Sequence, residues 1–420
     1  MLGNAKRRAS FAVHAMGLLG NAKRKSVEPM AALVCRNPNK MDAAHQRLLH
    51  FIGCAPWNCR VVRRVAAKYA IDAMTEREPV EAWIIDVTGF LKQGSHSVGV
   101  QRQYTGSAGK VTNCQIGVSL SLSTHTEHVP VDFELSLPES WTEDPARRKE
   151  ARIPDAIQFQ TKPQLGLAMV RRAIADGLPR GVFLADSAYG SSSEFRQELR
   201  DLGFDYAAGV DPKTNVWVAD AQSHFRGDQV SLRDLALRIE ARHGFRRCTW
   251  RTGAKQDLTA RFALRRVMPA GINAERDVQW LLIEWRDGET EPANYFFATL
   301  PEHIDRRQLI RIVRQRWRTE RVYEDLKGEL GIDQFEGRGF PGWHHHVSVA
   351  LCCYAFIVSE RVRCSPPSAG RPLEDNSDPL AARATLLRQL HHRSALHRAK
   401  GRFMAPSLRR LSSPKELVTQ

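Results

Sequence analysis

Two apolar runs in this chain each stop at an aspartate: Trp83-Ile84-Ile85-Asp86 and Val182-Phe183-Leu184-Ala185-Asp186. Far downstream a third carboxylate sits in a strongly basic segment, Arg316-Trp317-Arg318-Thr319-Glu320. Continuous apolar runs mark strands buried on both faces. An acid at the C-terminal edge of such a strand lies where open α/β sheets place their ligands. Carboxylates are the hard ligands that magnesium prefers. Two divalent cations about 3.5–4 Å apart can activate the attacking oxygen and stabilise the leaving oxygen of a phosphodiester. Each aspartate alone serves equally well as a loop or cap residue. Two strand ends paired with a helical Glu, in a very basic chain, point to metal-dependent chemistry on a phosphodiester.

The third acid needs a helix to present it. Periodicity predicts one long helix over residues 306–330, with Leu309, Val313, Trp317, Val322, Leu326 and Leu330 on its apolar side. Arg316, Glu320, Tyr323 and Lys327 then share a stripe, and Tyr323, like Arg316 and Lys327, is an expected phosphate or DNA contact. An acid between two bases suits a metal-bound phosphate: the acid holds the cation and the bases hold phosphate oxygens. The same stripe also describes an exposed helix with i,i+4 ion pairs, Arg316 with Glu320 among them.

The 420 residues carry 62 Lys plus Arg against 46 Asp plus Glu, a formal charge of +16. The pI of about 9.8 points to a polyanionic partner, most simply nucleic acid. The 8 cysteines form no C-x-x-C pair, which indicates neither a zinc ribbon nor a disulfide scaffold and suits a reducing, cytosolic setting. The longest apolar stretch, Val347–Val358, is too short to span a bilayer, and no secretory signal is evident.

Residues 1–78 read as a helical, basic region, with short helices on either side of Pro56-Trp57 that suit either a DNA-binding module or an ordinary helical hairpin. Lys23-Arg24-Lys25 and Arg63-Arg64 are its basic clusters. Leu-Gly-Asn-Ala-Lys-Arg occurs at 2–7 and again at 19–24, a local duplication rather than a solenoid repeat. Residues 79–212 alternate strands and helices: a strand over 82–87, a hairpin over 113–137, a helix over 163–176 and a second core strand over 181–185. Ser191 and Glu194 have capping-box spacing for the next helix. Residues 213–293 turn β-rich, 294–358 return to the core with the Glu-bearing helix, and 359–420 form a basic, loosely ordered tail.

Several blocks together make the pattern specific: Ile85-Asp86-Val87-Thr88-Gly89-Phe90-Leu91-Lys92, Val98-Gly99-Val100-Gln101-Arg102-Gln103-Tyr104, Leu184-Ala185-Asp186-Ser187-Ala188-Tyr189-Gly190, Asp325-Leu326-Lys327-Gly328-Glu329-Leu330-Gly331 and Phe335-Glu336-Gly337-Arg338. Across about residues 17–360 the chain resembles bacterial insertion-sequence transposases of the DDE class, in particular those with a β-rich insertion before the catalytic Glu. That family's last-helix signature is Tyr, two residues, Arg, three residues, Glu, six residues, Lys. Arg316, Glu320 and Lys327 match it; Val313 stands where the Tyr would be, and Glu324 is a competing acid off the register. The resemblance implies an α/β fold: an RNase H-like mixed sheet with flanking helices, interrupted by the insertion. It implies Asp86, Asp186 and Glu320 as catalytic, metal-binding residues with Mg2+, Mn2+ substituting. It further implies binding to terminal inverted repeats and target DNA, cleavage and strand transfer by two protomers acting together, and a bacterial cytoplasmic protein at the nucleoid, away from membranes. The competing expectations are an inactive, repurposed DNA-binding protein and a metal nuclease without strand transfer.

Other residues carry weaker signals. Lys92, Arg102 and Lys110 are expected phosphate contacts or solvated loop charges. Trp250 is either a stacking platform for a flipped base at the transposon end, as the resemblance suggests, or a strand Trp in a small core. His344-His345-His346 do not share a helix face, which argues against a metal site and leaves contacts to DNA or water. Cys352-Cys353 is expected in the core.

Overall fold

The computed structural model describes residues 2–20, 22–35, 38–218, 228–251, 258–270 and 277–364. The expected tail lies outside the described residues from 365 onward.

The chain opens with four helices, α1 (Ala5–Leu19), α2 (Val27–Val34), α3 (Met41–Gly53) and α4 (Cys59–Thr75). The duplicated hexapeptide does opposite things in its two settings. In the first copy Asn4 caps α1 through Arg7 N; the second begins at Leu19, where α1 ends. Next come β1 (Ala82–Leu91), β2 (Gln101–Thr105), β3 (Lys110–Ser123) and β4 (His128–Ser136), then α5 (Glu139–Thr142), α6 (Pro145–Ala151) and α7 (Lys162–Ala175). β5 (Val182–Ala185), α8 (Ser187–Gly190), α9 (Ser193–Asp201) and β6 (Tyr206–Gly209) follow. The segment after them holds β7 (Asn215–Val218), β8 (Val230–Ser231), α10 (Leu232–Ala241), β9 (Arg246–Arg251), β10 (Leu258–Pro269) and β11 (Gln279–Trp285). β12 (Asn294–Ala298), α11 (Arg306–Arg314), α12 (Trp317–Gly328) and α13 (Phe340–Cys364) complete the order.

One mixed sheet of 12 strands joins them, in the order β2-β3-β1-β5-β6-β12-β11-β10-β7-β8, with β4 on β3 and β9 on β10. β1, β3 and β4 run antiparallel, whereas β5 and β6 lie parallel to β1. This mixed unit with flanking helices is the RNase H-like arrangement expected. The β-rich segment extends the same sheet, because β12 pairs with both β6 and β11. One core lies between the sheet and α1, α4, α7 and α13; a second, with Ile84, Leu184, Leu309, Ile310 and Val313, lies under α11. No helix among the described residues is long and apolar enough to cross a membrane.

The basic clusters of the helical N-terminus do not all face outward. Arg63 does not present charge to a DNA surface: it is 2% exposed, with Nε 2.9 Å from Asp132 and Nη2 3.1 Å from Glu134. Lys25 is likewise buried and donates to Gly20 O, and Arg64 pairs with Asp176. The three histidines also turn inward. His345 contacts Ile52 O at 2.8 Å and stacks on Trp57, and His346 contacts Gly331 O at 3.0 Å. They therefore brace α13 against its neighbours instead of reaching DNA or solvent. Cys353 is buried and Cys352 half-buried in α13, as expected. The cap of α9 is Ser192, one residue past the expected Ser191.

Candidate active site

Strand register brings the two aspartates together. β1 and β5 pair in parallel through Ala82–Val182, Trp83–Phe183 and Ile84–Leu184. Asp86 and Asp186 each lie two residues beyond the last pair of that register, which brings them to the same edge of the sheet, where each carboxylate acts on the other. Asp86 does not end its strand, contrary to the sequence reading: β1 runs on to Leu91 against β3. What ends there is β5. The chain leaves it at Asp186, whose Oδ1 accepts from Ala188 N at 3.0 Å and caps α8. Side chains alternate along a strand, so Asp86 shares the face of Ile84, the face that α11 covers.

The close approach of the Asp186 turn to β6 requires glycine. A Cβ on Gly209 would stand 2.8 Å from Ser187 N, and one on Gly190 would stand 2.2 Å from Gly209 O. Gly209 was not singled out in the sequence, because nothing local marks a residue whose constraint comes from a neighbouring strand.

The third acid arrives on α12, which is not part of a single long helix. α11 stops at Arg314 and α12 starts at Trp317. At the break the buried Gln315 is held by strand-end groups: it donates to Glu81 and accepts from Ser123 Oγ at 3.0 Å. Arg311 also grips Glu81, at 2.9 Å. This anchoring places Arg316 over β1, where Nη1 donates to Asp86 Oδ2 at 2.7 Å. Glu320 Oε1 stands 4.0 Å from Nη2. The i,i+4 pair is thus the weaker contact, and Arg316 joins two elements. Glu324 pairs with Arg321 at 3.2 Å, which leaves Glu320 as the α12 acid beside Arg316.

Electrostatics show one shared neighbourhood. Burial pushes the Asp86 carboxyl up to about 6; Arg316 and Val87 N oppose the shift, and Asp186 and Glu320 add to it. Burial disfavours the Arg316 cation, yet Asp86, Asp186 and Glu320 together raise its pKa. Tyr323 is buried, its hydroxyl 2.6 Å from Ser119 Oγ, and its pKa is raised by burial first and then by Asp86. It therefore supports the floor of the site, with its hydroxyl taken up by Ser119 and not turned outward to DNA. The Tyr189 hydroxyl is buried beside both aspartates as well. Val313 is core, packed with Leu309 and Ile310.

The expected phosphate contacts divide. Lys327 Nζ donates to Gly89 O at 2.9 Å and Ser107 Oγ at 2.8 Å, tying α12 to the end of β1. Lys92 Nζ donates to Asp333 O and Phe335 O at 3.2 and 2.7 Å. Both ammonium groups already have protein acceptors, and burial lowers both pKa values. Arg102 and Lys110 are exposed. Trp250 is half-buried, edge-on to Phe262 and covered by Arg314 at 4.4 Å. The fully buried Glu284 holds Arg314 at 2.8 Å. Trp250 is therefore a packing residue between β9 and α11. Trp250→Ala is expected to reduce unfolding free energy by about 2–3 kcal/mol, below the cost of truncating a fully buried Trp. A urea melt checks this; an unchanged midpoint would show that the indole contributes no packing.

Hard carboxylates around one cationic centre fit a divalent ion chemically. Among the described residues, however, no three His, Cys, Asp or Glu side chains stand close enough to hold one ion. Glu320, 68% exposed, is the acid with room to change rotamer.

The raised Asp86 pKa has a stability consequence. Its ionised form destabilises the fold, so this contribution is absent below the ordinary carboxylate range near 3.8 and fully present above about 6. The free-energy gain of Asp86→Asn relative to wild type should therefore grow by about 2 kcal/mol from pH 4 to pH 7. Chemical denaturation in chelator at both pH values measures it; a pH-independent difference would mean that Asp86 titrates normally.

Comparison with known proteins identifies the family. The DDE superfamily endonuclease model matches residues 1–257, and a transposase DDE domain model matches residues 163–356. A probable transposase for insertion sequence element IS701, from Microchaete diplosiphon, is 26% identical over 196 residues, covering 46% of this chain and 47% of that protein. The chain thus spans about half the length of the curated relative it matches. With the first of these models covering more than half of its length, the chain belongs to the DDE superfamily of endonucleases.

Proposed function

We propose that this protein is an insertion-sequence transposase. It would bind the terminal inverted repeats of its element, cleave a DNA strand there and join the freed 3′ end to target DNA. The observation that carries the reading is the convergence of Asp86, Asp186 and Glu320 on Arg316 from β1, the end of β5 and α12. In this reading Asp86 and Asp186 hold divalent cations, with Glu320 completing the set when its side chain turns inward. Magnesium suits the donors, and manganese should replace it. When bound, the ion supplies nucleophile activation and leaving-group stabilisation. Arg316 would orient a phosphate oxygen beside the acids, and Lys327 would keep α12 fixed against β1. Two protomers acting on two ends, and residence at the bacterial nucleoid, belong to the same proposal. The named IS701 relative supports it.

The test is a linear duplex bearing the element's end, labelled at either strand, incubated with protein and Mg2+ or Mn2+ beside an unlabelled target plasmid. Cleavage plus joined product supports the reading. Cleavage with no joined product under any ion would indicate a nuclease, and binding without cleavage would indicate a repurposed DNA-binding protein.

A further inference from the structure

Several arginines on the β7–β11 segment and the helices beside it have an acid: Arg233 has Glu291, Arg247 has Asp287, Arg261 has Glu240 and Arg314 has Glu284. Three near the start of β9 do not. Arg246 Nη1 donates to the carbonyls of His243 and Phe245 at 2.7 and 3.1 Å. Arg265 Nη1 donates to Leu264 O at 2.7 Å. Arg306 Nη2 donates to Phe262 O and lies 3.4 Å from Arg246 O. None of the three has an ion pair with a described carboxylate. Their charges act on one another: burial lowers the Arg306 pKa, and Arg246 and Arg265 lower it further against an opposing effect of Cys248. Gly244 makes room for the group, since a Cβ there would stand 3.0 Å from Arg265 Nη2. Carbonyl bonds fix part of each guanidinium and leave other N–H donors unused. Like charges held together without a counter-ion are unfavourable until an anion joins them, and arginine's planar fork matches phosphate oxygens.

We propose that Arg246, Arg265 and Arg306 grip the phosphate backbone of bound DNA. Arg306, in the first turn of α11, precedes Arg316 by ten residues, a rise of about 15 Å at 1.5 Å per helical residue. A strand held at both points would span roughly four nucleotides at about 3.4 Å each. The proposal takes its polyanion from the transposase reading and is otherwise independent of it.

The test is a salt series of binding to a linear duplex for wild type and Arg246→Gln/Arg265→Gln, leaving Arg306 to hold β10. The log–log slope should flatten by about one to two, at about 0.9 per phosphate contact, and affinity should fall about tenfold or more. Lys149→Gln/Arg171→Gln removes the same charge on α6 and α7 and should keep the wild-type slope. If the double variant unfolds, the exposed Arg246→Gln alone should flatten the slope by about one. A wild-type slope in the folded cluster variant overturns the proposal, as does equal flattening by the control, which would mean net charge alone matters. Stabilisation of wild type by inorganic sulfate, with the DNA slope unaltered in the variant, identifies a free-anion site and also overturns it. Wild type that cleaves DNA yet shows no cluster effect removes this inference and leaves the transposase reading standing; wild type that binds no DNA removes both.

Discussion

Asp186→Asn is expected to lower strand cleavage by orders of magnitude while end binding stays near wild type. Asparagine keeps the side chain's size and the cap on α8 but removes the charge that would hold the cation, and with it both nucleophile activation and leaving-group stabilisation. Binding rests on phosphate contacts made elsewhere. Asp86→Asn and Glu320→Gln should separate the two activities in the same way. Glu324→Gln should not, because Glu324 is occupied with Arg321 on the outer side of α12. Nicking of labelled end duplexes with Mg2+ or Mn2+, beside a binding measurement on the same preparations, reads all four. Loss of nicking in Glu324→Gln with activity intact in Glu320→Gln would move the third acid one turn along the helix. Four variants that cleave like wild type would end the DDE mechanism for this chain.

The second large effect concerns stability. Arg63 lies between Asp132 and Glu134 in a buried network that Arg172 completes, at 2.6 Å from Asp132 and 3.0 Å from Glu134. Arg63→Met keeps much of the volume and leaves two buried carboxylates short of one cation. Breaking a buried pair in this way costs about 3–5 kcal/mol. Burial alone would raise the Asp132 pKa, but Arg63, Arg172 and its hydrogen bonds hold it below the ordinary value of 3.8. A depressed carboxylate contributes stability above its unfolded pKa and loses it as pH falls through its folded one. The penalty of Arg63→Met should therefore be full at pH 7 and shrink below about pH 4. Denaturant midpoints across that range measure it. A loss under about 1 kcal/mol at pH 7 would mean that Arg172 alone satisfies both acids.

Local pattern carried the strands and most helices, because buried strands and amphipathic helices write their periods directly into the sequence. The hairpin of β3 and β4, helix α7 and the parallel partner strands β1 and β5 all lie where alternation and apolar runs put them. The break before α12 was not legible. Gln315 and Arg316 keep helical backbone angles, so the apolar spacing runs through the interruption undisturbed. At the break Gln315 meets Glu81 and Ser123, partners far away in sequence. The burial of Arg63 and the histidines was hidden for the same reason, since their partners belong to other elements. Glu320 was read from its spacing against Arg316 and Lys327, and Asp86 and Asp186 from the apolar runs that lead to them. Which oxygen meets which guanidinium came only from the assembled sheet.

β6 and β12 are antiparallel neighbours, paired at Phe296–Gly209, Phe297–Ala208 and Ala298–Ala207. In topological terms they form a hairpin whose connecting loop is the whole segment bearing β7 to β11. Closing a loop becomes only slowly harder as it lengthens: replacing a tight turn by one some twentyfold longer adds roughly 2–3 kcal/mol of entropy, a modest sum beside what a packed sheet returns. β6 and β12 need that loop to leave and return at adjacent positions, and within it β11, which pairs with β12, and residues that pack beneath α11, such as Phe262, Leu282 and Glu284, are held to the core. Elsewhere its length and surface can change from one lineage to another while the spacing between Asp86 and Asp186 stays as it is.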